Sequence, residues 1–148
     1  MSSERTFFMV KPDGVKRYLS NLALSKMVNS GLKIVVRRRL NMTGEQAEKL
    51  YAVHKGKPFY EGLLKYITSG PVIISVLEGE NAVSNVREMM GATDPGKAAP
   101  GTIRGDNKED NILTEDGIIK NICHGSDSAE NAKYEMSVFF KEEDLKTK

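Results

Sequence analysis

Short apolar runs alternating with helical patterns predict an α/β (α+β) chain, a ferredoxin-like four-stranded antiparallel sheet with surrounding helices. Three observations lead there. The runs near the N-terminus and at Val72 are apolar on both faces, and a third, shorter one ends on His124. The segments between strands show helical spacing or helix-capping residues. The order is strand, helix, strand, helices, strand, helix, strand, helix, which supplies a β-α-β unit, a further strand and a second helical crossover. A flavodoxin-like doubly wound sheet is the rival. Only four strands, and no glycine-rich helix start after the first, weigh against it.

Thr6 to Lys11 (TFFMVK) reads as a buried strand, broken by Pro12-Asp13-Gly14. Leu19 to Ser30 has apolar residues at Leu22, Leu24, Met27 and Val28, a helix that Gly31 ends. Lys33 to Leu40 (KIVVRRRL) is the second strand. Thr43 with Gln46 three residues on is a capping-box pattern, opening a helix through Ala47, Leu50 and Tyr51. Phe59 to Ile67 is a further helical piece behind Pro58, Val72 to Leu77 a third strand, and Asn81 to Met90 a helix. Residues 91 to 120 are rich in glycine and proline and read as loop. The fourth strand is Asn121 to His124, and a helix runs from about Ser128 to Phe140.

At 148 residues, with no linker, repeat or low-complexity tract, residues 1–148 are expected to form one domain. The 22 basic and 20 acidic residues leave a net charge of +2, too balanced for bulk attraction to nucleic acid or membrane. Any anion site must be local. The single cysteine, Cys123, excludes an intrachain disulfide and a cysteine-cluster metal site. Met1 to Arg5 lacks the apolar core of a signal peptide, and no stretch approaches the ~20 apolar residues of a membrane span, so a cytoplasmic protein is expected.

The most informative run is Asn121-Ile122-Cys123-His124-Gly125-Ser126-Asp127-Ser128. An imidazole ends a strand, a glycine turns the chain, and Ser126, Asp127 and Ser128 are good helix openers. A side chain at such a corner is held by backbone yet faces solvent, which suits a nucleophile or a proton carrier. His54, the only other histidine, lies beside two lysines and reads as an exposed bystander, while Cys123 faces away from His124 and reads as packing. Gly91 to Ala98 has the spacing of a P-loop as far as Lys97. Ala98 has no hydroxyl for Mg²⁺, no strand precedes the run, and Pro100-Gly101 prevents the helix that should follow, so that reading is rejected. Lys11, Arg87, Thr93 and Arg104 would still grip phosphate if they converged. Pattern alone favours core positions for Tyr51 and Phe59, although Phe59 is equally suited to stacking on a base. Glu135 lies two helical turns beyond Ser128 and is either solvated or turned back towards His124. Arg37-Arg38-Arg39 divides between the two faces of its strand, at the surface or at a subunit contact.

With these residues set out, nearly the whole chain resembles the nucleoside diphosphate kinase family. The resemblance is carried by Glu4-Arg5-Thr6 through Val10-Lys11-Pro12-Asp13-Gly14-Val15, by Ser69-Gly70-Pro71-Val72, by Pro100-Gly101-Thr102-Ile103-Arg104-Gly105-Asp106, and by the His124 run. It implies transfer of the γ-phosphoryl group of a nucleoside triphosphate to a nucleoside diphosphate by a ping-pong route. His124 would pass through a phosphohistidine. Lys11, Tyr51, Arg87, Thr93, Arg104 and Asn121 would hold phosphates and ribose, Phe59 would stack on the base, and Ser126 and Glu135 would support the imidazole. Mg²⁺ would bridge the phosphates, and the assembly would be a homo-oligomer, a tetramer or hexamer. The implied readings of Tyr51, Phe59 and Glu135 replace the plainer ones.

General chemistry agrees. Imidazole, with a reference pKa of ~6.5, is largely neutral and nucleophilic at pH 7. Phosphoryl transfer asks mainly for positioning and charge stabilisation. Stacking without a reader of base edges gives broad base tolerance.

The chain departs from the family's pattern where Tyr18 and Asn21 replace glycines, and where Asn107 to Lys120, holding Glu109, Asp110, Glu115 and Asp116, runs longer than usual before Asn121. The longer stretch is expected to make a surface excursion near the base, with Ile118 or Ile119 as base neighbours. Two other functions compete. A regulatory module on the same fold would bind nucleotide without acid-labile label on His124. An RNA-binding domain would need exposed aromatics on the central strands, but the first strand looks buried and the third has none.

Overall fold

The computed structural model describes residues 3–109 and 112–146; Met1, Ser2 and Asp110, which entered the sequence reading, lie outside them. The strands are β1 (Ser3–Val10), β2 (Lys33–Leu40), β3 (Val72–Glu80) and β4 (Cys123–Gly125). They form one antiparallel sheet in the order β2-β3-β1-β4, the expected ferredoxin-like arrangement. β1 is central, and its side chains alternate between two cores because successive Cβ atoms point to opposite faces. Phe7 and Met9 pack with residues of α3 (Gly44–Leu50), α4 (Tyr60–Ile67) and α7 (Ala129–Phe139). Phe8 and Val10 pack with α2 (Ser20–Asn29) and α5 (Ala82–Met90). Both faces are covered, which is why β1 reads as continuously apolar instead of alternating.

Several boundaries move, each for a physical reason. Pro12-Asp13-Gly14 does end β1, but it also opens a short helix, α1 (Pro12–Lys16), because proline at the first helical position has no N–H to leave unsatisfied. β1 starts earlier than its apolar run and β3 continues past its own. Their polar ends pair with each other, Ser3 opposite Glu80 and Arg5 opposite Glu78, so ladder bonds extend where side-chain pattern is silent. Thr43 and Gln46 form the expected reciprocal cap. Ser128, not Ser126, caps α7, its hydroxyl accepting from the Asn131 amide. The loop from 91 contains a 3₁₀ turn (Pro95–Lys97) and a short helix, α6 (Ile103–Asp106). Gly91 has φ 89 and no long helix follows, in keeping with rejection of the P-loop. β4 begins two residues later than expected because Ile122 takes φ 73, outside any strand.

Near the longer stretch, Leu113 and Ile119 form a bridge, and Gly117 at φ 78 turns the chain between them. This closes a small hairpin that buries Ile118 in the core beside α4, while Leu113 stays exposed. Tyr18 is 92% exposed and has φ 60, the left-handed region that favours glycine, the residue that the family resemblance implies there. The arginine run splits as alternation requires. Arg37 donates to Asn21 Oδ1 on the α2 side, and Arg38 pairs with Asp144 and lies over the Phe140 ring.

Candidate active site

Three elements meet at the end of the sheet. β1 delivers Lys11, β4 delivers His124 opposite Met9, and α7 presents Glu135. His124 Nε2 stands 2.8 Å from Glu135 Oε1, and Ser126 Oγ donates to the same oxygen at 2.7 Å. A carboxylate only accepts, so Nε2 must carry the ring proton and Nδ1 keeps its lone pair. Glu135 is buried, which excludes the solvated reading of that residue, and Ser126 is 1% exposed. The His124 side chain retains 22% exposure. It is therefore anchored at Nε2 while part of the side chain stays exposed. Phe7 and Tyr51 fence the ring, with centroids 6.1 and 6.4 Å away.

Around this triad lies a group of cations and amides. Lys11 Nζ donates to Asn121 Oδ1 at 2.8 Å, and Asn121 Nδ2 donates to the Thr93 carbonyl at 3.0 Å. Burial, then the nearby Arg104 guanidinium, pull the Lys11 ammonium down to about 8, against an opposing pull from Asp13. Arg104 is buried and spends three donors on backbone: Nε on Asn121 O, Nη1 on Gly91 O and Nη2 on Cys123 O, at 2.9, 3.0 and 2.7 Å. The sequence presents it as a free phosphate ligand; the fold makes it first a brace for the strand bearing His124. Arg87 is exposed on α5 and reaches the Gly125 carbonyl at 3.2 Å. Thr93 enters through its carbonyl, and its exposed side chain makes no hydrogen bond among the described residues.

Tyr51 is buried, yet its hydroxyl has no hydrogen-bond partner among the described residues. A buried hydroxyl without a partner is costly unless a ligand supplies one. Burial and then Glu135 raise its pKa, so it stays a neutral donor. Phe59 is 42% exposed at the N-terminal end of α4, not core. His54 stands between these aromatics, its ring 6.0 Å from Tyr51 and 5.2 Å from Phe59. It is thus part of an aromatic row leading from the rim to His124, not a bystander. Burial, Lys57 and His124 all lower its pKa. Its neighbours in sequence gave no sign of this; the 3₁₀ turn Ala52–His54 swings the ring inward. Asp13 and Tyr66, bonded to each other beneath the site, were also not singled out. Asp13 carries one signal in the sequence, its place two residues after Lys11 in the turn that ends the first strand.

A cavity of about 1000 Å³ lies elsewhere, lined among others by Arg17, Tyr18, Arg37 and Arg39. It touches neither His124 nor Glu135, and Glu109 pairs with the Arg17 and Lys120 side chains at its edge. His124, its partner Glu135, and Arg87 and Arg104 on the carbonyls either side of it form the candidate site.

Comparison with known proteins agrees. Residues 4–145 match the family model described as nucleoside diphosphate kinase. A nucleoside diphosphate kinase of Methylobacterium radiotolerans is 50% identical over 145 residues, 98% of this chain and 99% of the relative. One from Sulfurisphaera tokodaii is 52% identical over 147 residues, 99% of this chain and 95% of the relative. Among solved structures, a halophilic nucleoside diphosphate kinase of Halobacterium salinarum in complex with CDP superposes with a TM-score of 0.89 at 42% identity, covering 99% of this chain and 93% of that one. The Aquifex aeolicus nucleoside diphosphate kinase gives 0.86 at 36% identity, covering 97% and 99%.

Proposed function

The chain belongs to the nucleoside diphosphate kinase family, and from that premise we propose that His124 Nδ1 is the atom through which it moves phosphate. The protein is a phosphotransferase: it transfers the terminal phosphate of a nucleoside triphosphate to a nucleoside diphosphate through a phosphohistidine. The observation that supports His124 as the carrier is the hydrogen bond from its Nε2 to Glu135, which leaves Nδ1 as the free nucleophile. Nδ1 attacks the γ-phosphorus of the donor, the P–O bond to the β-phosphate breaks, and the diphosphate leaves with that electron pair. The ring is then cationic, N–H at Nε2 and N–P at Nδ1, and the Glu135 carboxylate stabilises it. The acceptor diphosphate reverses each step with its own terminal oxygen. Lys11, Arg87 and Arg104 offset phosphate charge, Asn121 and Thr93 orient the polar tail, and the Tyr51 hydroxyl donates to a bound oxygen.

A divalent cation belongs to this family's catalysis, and we read it as Mg²⁺. The cleft offers ammonium, guanidinium, amide and hydroxyl groups, which fit phosphate oxygens; the phosphates themselves would then hold the metal, as that hard cation prefers. When bound, it neutralises charge between neighbouring phosphate oxygens. Phe59 supplies a face without hydrogen-bonding edges, which supports broad base tolerance. Residues 1–148 are read as one such domain, and the assembly as a tetramer or hexamer, with the basic β2 at a subunit contact. Among the described residues no helix is long and apolar enough to cross a membrane, and a cytoplasmic location fits the nucleotide substrates. The direct test is incubation with γ-labelled ATP and Mg²⁺ followed by a GDP chase. Acid-labile label should appear on the protein and move to GTP; nucleotide binding without label would mean a regulatory module instead.

Free Lys11 loses its proton as pH rises through about 8, so the KM for ATP should climb by up to ~10-fold per pH unit above that value while kcat holds. A bound phosphate keeps the proton in place, which is why binding and not turnover carries the change. Lys11→Arg should flatten the profile. The shift acts oppositely on folding. Protonated Lys11 is disfavoured in the folded state, so stability should increase as pH rises from about 8 towards 10.5. Phe59→Ala should raise KM about 10-fold, similarly for purine and pyrimidine substrates, since stacking is worth ~1–3 kcal/mol per base. A loss confined to one base would show edge recognition instead.

A further inference from the structure

Ile122 occupies a backbone conformation that its own side chain disfavours, and the surrounding chain holds it there. Its φ is 73, rare for a β-branched residue, and the Cys123 amide donates across it to Asn121 O at 2.8 Å. This is the strained form of γ-turn. Such conformations persist only where the surroundings over-determine them. The Ile122 amide donates to Asp13 Oδ2 at 3.0 Å, and its carbonyl accepts from Lys11 N at 2.8 Å. The flanking carbonyls, of Asn121 and Cys123, are both taken by Arg104. Asp13 is pinned in turn. The Tyr66 hydroxyl donates to its Oδ1 and accepts from its amide at 3.3 Å. Asp13, Tyr66 and Ile122 are all buried. A Cβ on Gly14 would stand 2.7 Å from the Ile122 carbonyl, so glycine is what allows α1 to approach the turn.

The turn lies between two residues that need to cooperate. In an extended strand, residues three apart point to opposite faces. Yet His124, paired with Met9, reaches Glu135, and Asn121 reaches Lys11, which lies two residues beyond Met9 in extended backbone and so continues the Phe7 and Met9 side of the alternation. The left-handed residue between them is what re-aims the chain. We propose that Asp13, held by Tyr66, is a positioning residue: its carboxylate clamps the Ile122 amide so that Asn121 and His124 face one cleft. This rests on the reading of His124 as the phosphate carrier.

The role is one of accepting a hydrogen bond, which separates it from a role for negative charge. Single-turnover labelling from saturating γ-labelled ATP reads it, per folded molecule by circular dichroism. Asp13→Ala should slow labelling by ~100-fold, the scale expected when reacting groups are displaced by about 1 Å. Asp13→Asn keeps an acceptor for Ile122 and should stay within ~5-fold of the unsubstituted protein. Glycine adopts positive φ without strain, so Asp13→Ala/Ile122→Gly should recover most of the lost rate despite removing a buried side chain. Asn and Ala variants slowed alike, an Ala variant labelling at the original rate, or a folded double variant without recovery would each overturn the proposal. The Asn and Ala pair decides alone if the double variant does not fold. Absence of label on the unsubstituted protein would instead defeat the assignment of His124, so the two failures are distinguishable.

Discussion

His124→Ala should abolish labelling by γ-labelled ATP and lower phosphoryl transfer to GDP by roughly 10⁴-fold or more, the scale found when a covalent nucleophile is removed. Nucleotide affinity should change little, because the phosphate-facing groups are held independently of the ring: Lys11 by Asn121, and Arg104 by backbone carbonyls. Glu135 would keep its bond from Ser126, so the local fold should survive the loss. Dissociation constants by equilibrium titration, set beside single-turnover rates, check both halves. Transfer that persists without label would mean direct passage between two nucleotides and would remove the imidazole from the pathway.

Arg104→Ala should act on fold and rate together. Three carbonyls lose a charged donor, two of them on the segment leading into His124. The Asn121 carbonyl keeps the Cys123 amide and Gly91 is half-buried, so the cost falls mainly on the Cys123 carbonyl. At ~1–3 kcal/mol for a buried carbonyl left without a donor, a loss of about 2 kcal/mol and of ~5 °C in Tm is expected. With the guanidinium gone from the Asn121 and Cys123 carbonyls, the labelling rate should also fall by ~100-fold. Arg104→Lys should recover little, since one ammonium at the end of a flexible stem does not span three carbonyls. Thermal unfolding and single-turnover labelling measure the two effects. An unchanged Tm with a rise in KM alone would reduce Arg104 to a simple phosphate ligand.

The succession of elements and the two-sided burial of β1 were legible because burial on both sides leaves continuous apolar runs, and Thr43 with Gln46 announces its helix chemically. The residues of the candidate site stood out as types, through the run around His124 and the cations near Lys11 and Arg104. Their division of labour was not. Arg104 looks like any phosphate-binding arginine until Asn121, Gly91 and Cys123 turn their carbonyls to it. His54 is one polar residue between lysines until a 3₁₀ turn brings it beside Tyr51 and Phe59. The left-handed Ile122 contradicts its own local preference, so no propensity reveals it; long-range partners from Asp13 impose it. Ser126 reads as a helix cap because serine often is one, and only the position of Glu135 decides otherwise.

One carboxylate oxygen, Glu135 Oε1, receives bonds from both the ring and the serine hydroxyl. Were the imidazole to turn over, Cε1 would stand where Nε2 does and the bond to that anion would be lost, so the ring is held against flipping. Outgoing and incoming nucleotides must then meet the same nitrogen at the same angle, and forward and backward passages become mirror images. Like any catalyst it leaves the direction of net flow to mass action among the nucleotides; what the fixed ring adds is a single set of contacts shared by donor and acceptor.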